Sequence, residues 1–152
     1  MARYFIGSAT HKLDAKGRVS LPSDYRAVLR AQGSEDSFVV VPRPGADPCH
    51  LAFSGPGHER LIERIGSADY PSPAHRRETR RRFISEARPV ALEDGGRFVL
   101  PRDLREALGL DKEVQFVGDG ETFQIWEPGA WESLHGAAEE AEAVEIDFAG
   151  LV

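Results

Sequence analysis

Cysteine is nearly absent from this chain of 152 residues: Cys49 stands alone. A single thiol excludes an internal disulfide and any cysteine-rich zinc site. It fits a reducing cytoplasm, and Cys49 reads most simply as a small buried hydrophobe. Long apolar runs are missing too. No stretch reaches the roughly 18 residues that a membrane-spanning helix needs, and the opening MARYFIGSATHK lacks the apolar segment of a secretory signal. The histidines (His11, His50, His58, His75 and His135) fall into neither HxxEH nor HExxH spacing, so no metal site is expected. Gly95 and Gly96 adjoin, but there is no GxxxxGKS/T phosphate loop, and Ser8, Ser20 and Ser23 lie outside any nucleophile elbow. These absences argue against an enzyme and predict no cofactor, no small-molecule substrate and no membrane partner.

Positive charge is also short in the whole-chain sum of -6, which taken alone argues against a nucleic-acid partner. The sum conceals a division. Residues 1–88 hold 15 Lys and Arg against 10 Asp and Glu, whereas residues 89–152 hold 4 against 15. The acidity belongs to the C-terminal part, and a basic N-terminal part remains available to an anionic partner.

What the chain has is a repeat. LDAKGRVSLPSDYRAVL (13–29) and LEDGGRFVLPRDLREAL (92–108) align without a gap at an offset of 79 residues, with 8 of 17 positions identical. Chance predicts about one match at ordinary residue usage. The shared residues are Leu13/Leu92, Gly17/Gly96, Arg18/Arg97, Leu21/Leu100, Pro22/Pro101, Asp24/Asp103, Arg26/Arg105 and Leu29/Leu108.

Each copy reads as strand, tight turn, strand, short helix, strand, strand. The turns fall at 15–17 and 94–96, where glycine supplies the positive φ that such a turn requires. Pro22 and Pro101 sit where a helix begins, and Gly33 and Gly109 where one stops. Strands follow at 38–42 and 114–117. Asp119-Gly120 predicts a two-residue hairpin into 122–126, and a longer proline-rich loop in the first copy leads to a strand near 50–53. Helical stretches are expected at 58–65, at 73–84 with five arginines between Arg76 and Arg82, and at 128–142. The chain thus divides into a first unit at 7–53, a helical inter-unit segment at 54–85, a second unit with its terminal helix at 86–135, and an acidic, weakly ordered tail at 136–152. A unit of about 40 residues is too small to hold a core alone, so the two should share one as an internal pseudo-dimer. The fold class is α+β and β-rich.

The string DAKGR at 14–18, followed by a strand and Leu21-Pro22, resembles the motif of SpoVT/AbrB-like DNA-binding domains. Two such units, preceded by YFIG at 4–7, resemble the MraZ family over nearly all of residues 3–135. The resemblance implies a duplicated swapped-hairpin β-barrel and closed rings of identical subunits. It also implies a nucleoid-associated cytoplasmic regulator, chiefly a repressor, that binds short G-rich direct repeats in double-stranded DNA upstream of its own division and cell-wall operon. Two departures stand out. Glu93 takes the place of the motif aspartate in the second copy, and Glu86 stands where the family more often has a small residue.

Four residues carry the expected chemistry. A turn between two strands projects its side chains outward, and a two-stranded ribbon is narrow enough to approach a groove. Arg18 offers a planar fork that matches O6 and N7 of guanine. Lys16 is a mobile point charge suited to phosphate. Asp14 is placed to accept backbone N–H bonds in the turn, or to pair with Arg18 and orient it. Arg97 is the equivalent of Arg18, but with acidic neighbours, and is expected to serve packing or subunit contacts more than DNA. Read from the residues alone, a surface turn with an ordinary ion pair explains 14–18 equally well. Arg76–Arg82 fits phosphate, a neighbouring subunit or a solvated face. Asp24 with Arg26, and Asp103 with Arg105, are read as structural, capping their helices or pairing elsewhere. A ring-forming interaction module and an antitoxin-type regulator are the competing functions.

Overall fold

The computed structural model describes residues 3–34, 36–141 and 146–151. The first copy forms β1 (Ser8–Lys12), β2 (Arg18–Ser20), α1 (Ser23–Ala31), β3 (Ser37–Val41) and β4 (Cys49–Phe53). Two helices follow, α2 (Gly55–Ser67) and α3 (Pro73–Arg80), the latter running on through one wide π-type turn at Arg81–Ser85. The second copy repeats the order with β5 (Arg88–Ala91), β6 (Arg97–Val99), α4 (Arg102–Leu108), β7 (Glu113–Gly118) and β8 (Phe123–Trp126). The chain then forms α5 (Pro128–Ala141) and a short α6 (Phe148–Leu151). Helix α5 thus extends into the segment expected to be weakly ordered, and residues 142–145 and 152 of that tail, Val144 among them, lie outside the described residues.

The molecule is α+β and strand-rich. Six strands form one antiparallel sheet in the order β1-β7-β8-β4-β3-β5, and β2 pairs with β6 in a separate ribbon. Neighbours in sequence are often not neighbours in the sheet. β1 lies against β7 of the second copy, with Ser8 opposite Val117 and Lys12 opposite Glu113. β5 lies against β3 of the first, with Ser37 opposite Ala91 and Val40 opposite Arg88. If each strand is replaced by its counterpart in the other copy, the order reads the same from the opposite end.

One core serves both copies. Val19 and Phe98, Leu21 and Leu100, and Tyr25 and Leu104 occupy matching places in the repeat, and all six are buried in a single apolar cluster. Phe5, Tyr25, Phe116 and Phe123 pack at its centre with ring centroids 5.0–6.3 Å apart. Burying a side chain of this size stabilises the fold by about 1.5–3 kcal/mol. A smaller cluster joins Cys49, Val117 and Trp126 to Ala130 and Trp131 of α5, with the two indoles at 5.2 Å. There burial pushes the Cys49 thiol up to about 11, leaving it a protonated, apolar filler at neutral pH.

Pro22 and Pro101 link each ribbon strand to the helix that follows, standing in extended geometry just before α1 and α4. Gly109 then closes α4 in the left-handed conformation. The hairpin turns on two residues as expected, but one place further on, with Gly120 and Glu121 at its tip. Its strands end at Gly118 and Phe123, and Asp119 N–H donates to Thr122 O at 2.9 Å. Gly120 at the tip exchanges two backbone hydrogen bonds with Phe5 (2.7 and 3.1 Å).

Candidate nucleic-acid interface

The ribbon of β2 and β6 takes one strand from each copy. Its antiparallel register sets Arg18 opposite Val99, Val19 opposite Phe98 and Ser20 opposite Arg97. Residues directly opposite share a face, and faces alternate along a strand. Val19 and Phe98 therefore face the core and are buried, whereas Arg18, Arg97 and Val99 are exposed on the outer face. Two arginines from two copies 79 residues apart thus come to one surface, diagonal to each other. Beside them runs a groove of about 620 Å³, lined by β1 residues including Lys12 and by Asp14, Arg18 and Arg97.

The turn before β2 is fixed by Asp14. One carboxylate oxygen accepts the backbone N–H groups of Lys16 and Arg18, both at 2.9 Å, and the other accepts Nε–H of Arg18 at 2.9 Å. Backbone closure adds Asp14 N–H to Arg18 O and Gly17 N–H to Asp14 O, both 3.0 Å. The Arg18 backbone N–H, aided by its guanidinium and by the Lys16 N–H, holds the Asp14 carboxyl below the usual carboxylate range. Asp14 thus makes both contacts the sequence left open, to the turn's backbone N–H groups and to the Arg18 side chain. Lys16 stands exposed on the turn with no ion pair among the described residues.

The second turn keeps the same backbone scheme, Glu93 N–H to Arg97 O at 2.7 Å and Gly96 N–H to Glu93 O at 3.0 Å. It lacks the side-chain cap, because Glu93, one methylene longer than Asp14, makes no such bond. Gly95 stands where the first copy has Lys16, so this turn presents Arg97 without an accompanying lysine and beside exposed Glu93 and Asp94.

Comparison with known proteins bears on most of the chain. A family model described as "MraZ protein, putative antitoxin-like" matches residues 83–149. A protein named transcriptional regulator MraZ from Gluconacetobacter diazotrophicus is 38% identical over 135 residues, covering 88% of this chain and 85% of the relative. A protein of the same name from Parvibaculum lavamentivorans is 39% identical, covering 84% and 78%, and one from Burkholderia cenocepacia is 38% identical, covering 88% and 89%. The chain belongs to the MraZ family.

In this MraZ-family chain two of the five arginines between Arg76 and Arg82, namely Arg81 and Arg82, are held in ion pairs among the described residues. Glu78 binds Arg81 and Arg82, and Glu86 also pairs with Arg81. Arg82 reaches the carbonyl of Pro44 at 3.3 Å. The bonds from Arg81 and Arg82 hold the Glu78 carboxyl down at about 2, and Glu86 sits in a solvent-exposed ion pair with Arg81.

Two residues read as structural turn out to touch the site. Asp103 pairs elsewhere, as expected, with Arg88, whereas Arg26 and Arg105 neither cap their helices nor form an ion pair among the described residues. Each lies against the turn of the opposite copy. A Cβ placed on Gly17 would fall 3.0 Å from Nε and Cζ of Arg105, and one placed on Gly96 would fall 2.5 Å from Cδ of Arg26. The signal was present in the repeat, since glycine and arginine recur together at the same spacing. Without the strand pairing it gave no hint that the contact crosses between copies.

Proposed function

We propose that this chain is a sequence-specific DNA-binding transcriptional regulator in which the β2–β6 ribbon reads the major groove. The observation that carries the reading is the common outer face of Arg18 and Arg97, with Asp14 aiming the first. A two-stranded ribbon fits a groove about 12 Å wide, and a pre-aimed guanidinium pairs with the two acceptors of guanine. Lys16 supplies the phosphate contact. Arg18 dominates over Arg97, because the acidic second turn is less welcoming to phosphate. Short G-rich direct repeats upstream of the chain's own operon are the preferred target, and repression is the main outcome. The two copies form a swapped-hairpin pseudo-dimer, and several chains assemble in a ring so that tandem repeats are held by avidity. The protein works in the cytoplasm, on the nucleoid, and performs no catalysis.

Gel-shift titration on G-rich repeat DNA tests this. Arg18→Ala is expected to lose specific binding while keeping fold and assembly, because each missing bidentate contact costs about 1–3 kcal/mol and the losses accumulate over subunits. Lys16→Ala should weaken all sequences alike and lower the salt slope by about 1. Wild-type affinity in Arg18→Ala would remove the proposed site. A ring whose turns are buried against neighbouring subunits would favour the interaction-module reading instead.

A further inference from the structure

Arg26 and Arg105 occupy equivalent positions in the two copies, and neither makes an ion pair or side-chain hydrogen bond among the described residues. For Arg105 this extends to a buried Nε without any partner. Two long cations kept in this state at matching places suggest a role for the side chain as a shape.

Each guanidinium lies where the other copy's turn glycine has no side chain. The space above Gly17 holds Nε and Cζ of Arg105 at 3.0 Å from a notional Cβ, and the space above Gly96 holds Cδ, Nε and Cζ of Arg26 at 2.5, 2.8 and 3.1 Å. The same glycines are gripped through their carbonyls. Leu100 N–H donates to Gly17 O at 2.8 Å and Leu21 N–H donates to Gly96 O at 2.9 Å. Each turn therefore rests on a seat supplied entirely by the opposite copy: one backbone donor at the end of a ribbon strand, and one arginine from the helix that follows.

We infer that Arg105 and Arg26 are positioning residues acting crosswise: Arg105 holds the turn that carries Lys16 and Arg18, and Arg26 holds the turn that carries Arg97. A guanidinium suits the task because it is flat and weakly hydrated, so one face can lie against a glycine peptide without a counter-charge. An ammonium is a strongly hydrated point and offers no such plane. The turn glycines are then required twice, for their positive φ of 85° and 80° and for the room they leave the arginine. The functional half of this inference rests on the reading of the ribbon as the DNA-binding element; the mechanical half does not.

Amide hydrogen exchange on the full-length, DNA-free protein tests the mechanical half. Arg105→Ala and Arg105→Lys should each speed exchange at the Gly17 amide by about tenfold and leave the Gly96 amide unchanged, and Arg26→Ala should do the reverse. Binding to G-rich repeat DNA across a salt series tests the functional half. Arg105→Ala should weaken specific binding about tenfold with an unchanged salt slope, and lysine should not rescue it. A phosphate-contacting Arg105 behaves differently: the slope falls by about 0.9 and lysine restores most of the affinity. That result, unchanged exchange at Gly17, or equal acceleration at both glycines would overturn the crosswise assignment. If the wild-type protein ignores the DNA, the reading of the ribbon fails, and the exchange pattern alone decides whether the arginines seat the turns.

Discussion

Replacing Gly17 by alanine separates two costs that glycine avoids at the turn carrying Lys16 and Arg18. Gly95 is the matched control, since its φ of 81° is close to the 85° of Gly17 and a methyl there meets nothing within 4 Å. Gly95→Ala should therefore cost only the left-handed penalty, about 1–2 kcal/mol. At Gly17 the added methyl would also sit 2.8 Å from the carbonyl oxygen of Leu100. That oxygen belongs to the backbone between β6 and α4 and cannot swing aside, so overpacking adds about 1–3 kcal/mol. In a chain of this length each kcal/mol lowers the melting temperature by about 2–4 °C. The expected falls are then about 4 °C for Gly95→Ala and about 10 °C for Gly17→Ala. Both variants should be melted beside the wild type at one protein concentration, because assembly shifts apparent stability. Equal falls would refute the claim that the opposite copy presses on Gly17, and a Gly17→Ala protein as stable as wild type would refute the strained turn as well.

Two pH effects follow from groups with lowered pKa. The Asp14 carboxyl is held low, so its bonds are complete above the ordinary carboxylate value near 3.9 and are lost as pH falls through the lowered one. The Lys16 and Arg18 amide resonances should titrate with a midpoint below about 3.9, and a midpoint at or above that value would contradict the cap. His50 is fully buried, with Nδ1 accepting from Arg43 N–H and Nε2 donating to Leu104 O at 2.8 Å, and desolvation lowers its pKa. Its stabilising neutral form is secure above about 6.5 and is opposed as pH falls below that, because the unfolded chain then takes up a proton that the folded one refuses. Melting temperature should accordingly drop from pH 7 to 5, and His50→Gln should flatten that limb; an unchanged slope would exclude His50 as its source.

The elements of the two copies were legible because both local signals and the repeat supported them: glycine at the turns, proline before α1 and α4, apolar runs at β3 and β7. Pairing was not legible. Nothing in SATHK at 8–12 points to a partner at 113–117, because an edge strand of mixed polarity fits many neighbours and register is settled by the whole sheet. The same gap hid the site. Sequence alone put Arg18 and Arg97 on two separate turns and expected the second to serve packing or subunit contacts. Only the register of β2 against β6 places both on one exposed face. The substitution of Glu93 for aspartate was visible, and its effect is now specific: the backbone closure of the turn survives and the side-chain cap does not.

The interleaved sheet also shapes how the chain comes into being. When β1 leaves the ribosome its partner β7 is still about 100 residues from being made, on the order of 5–20 s at ordinary rates of synthesis. During that interval β1 and β3 each lack a neighbour that only the second copy supplies. A second nascent chain on the same messenger offers equivalent strands, because the first copy carries the same pattern of elements as the second. Exchange between unfinished chains is thus the characteristic error open to this architecture. The helices α2 and α3, which tether the two copies, favour the correct partner by keeping its local concentration high once it emerges.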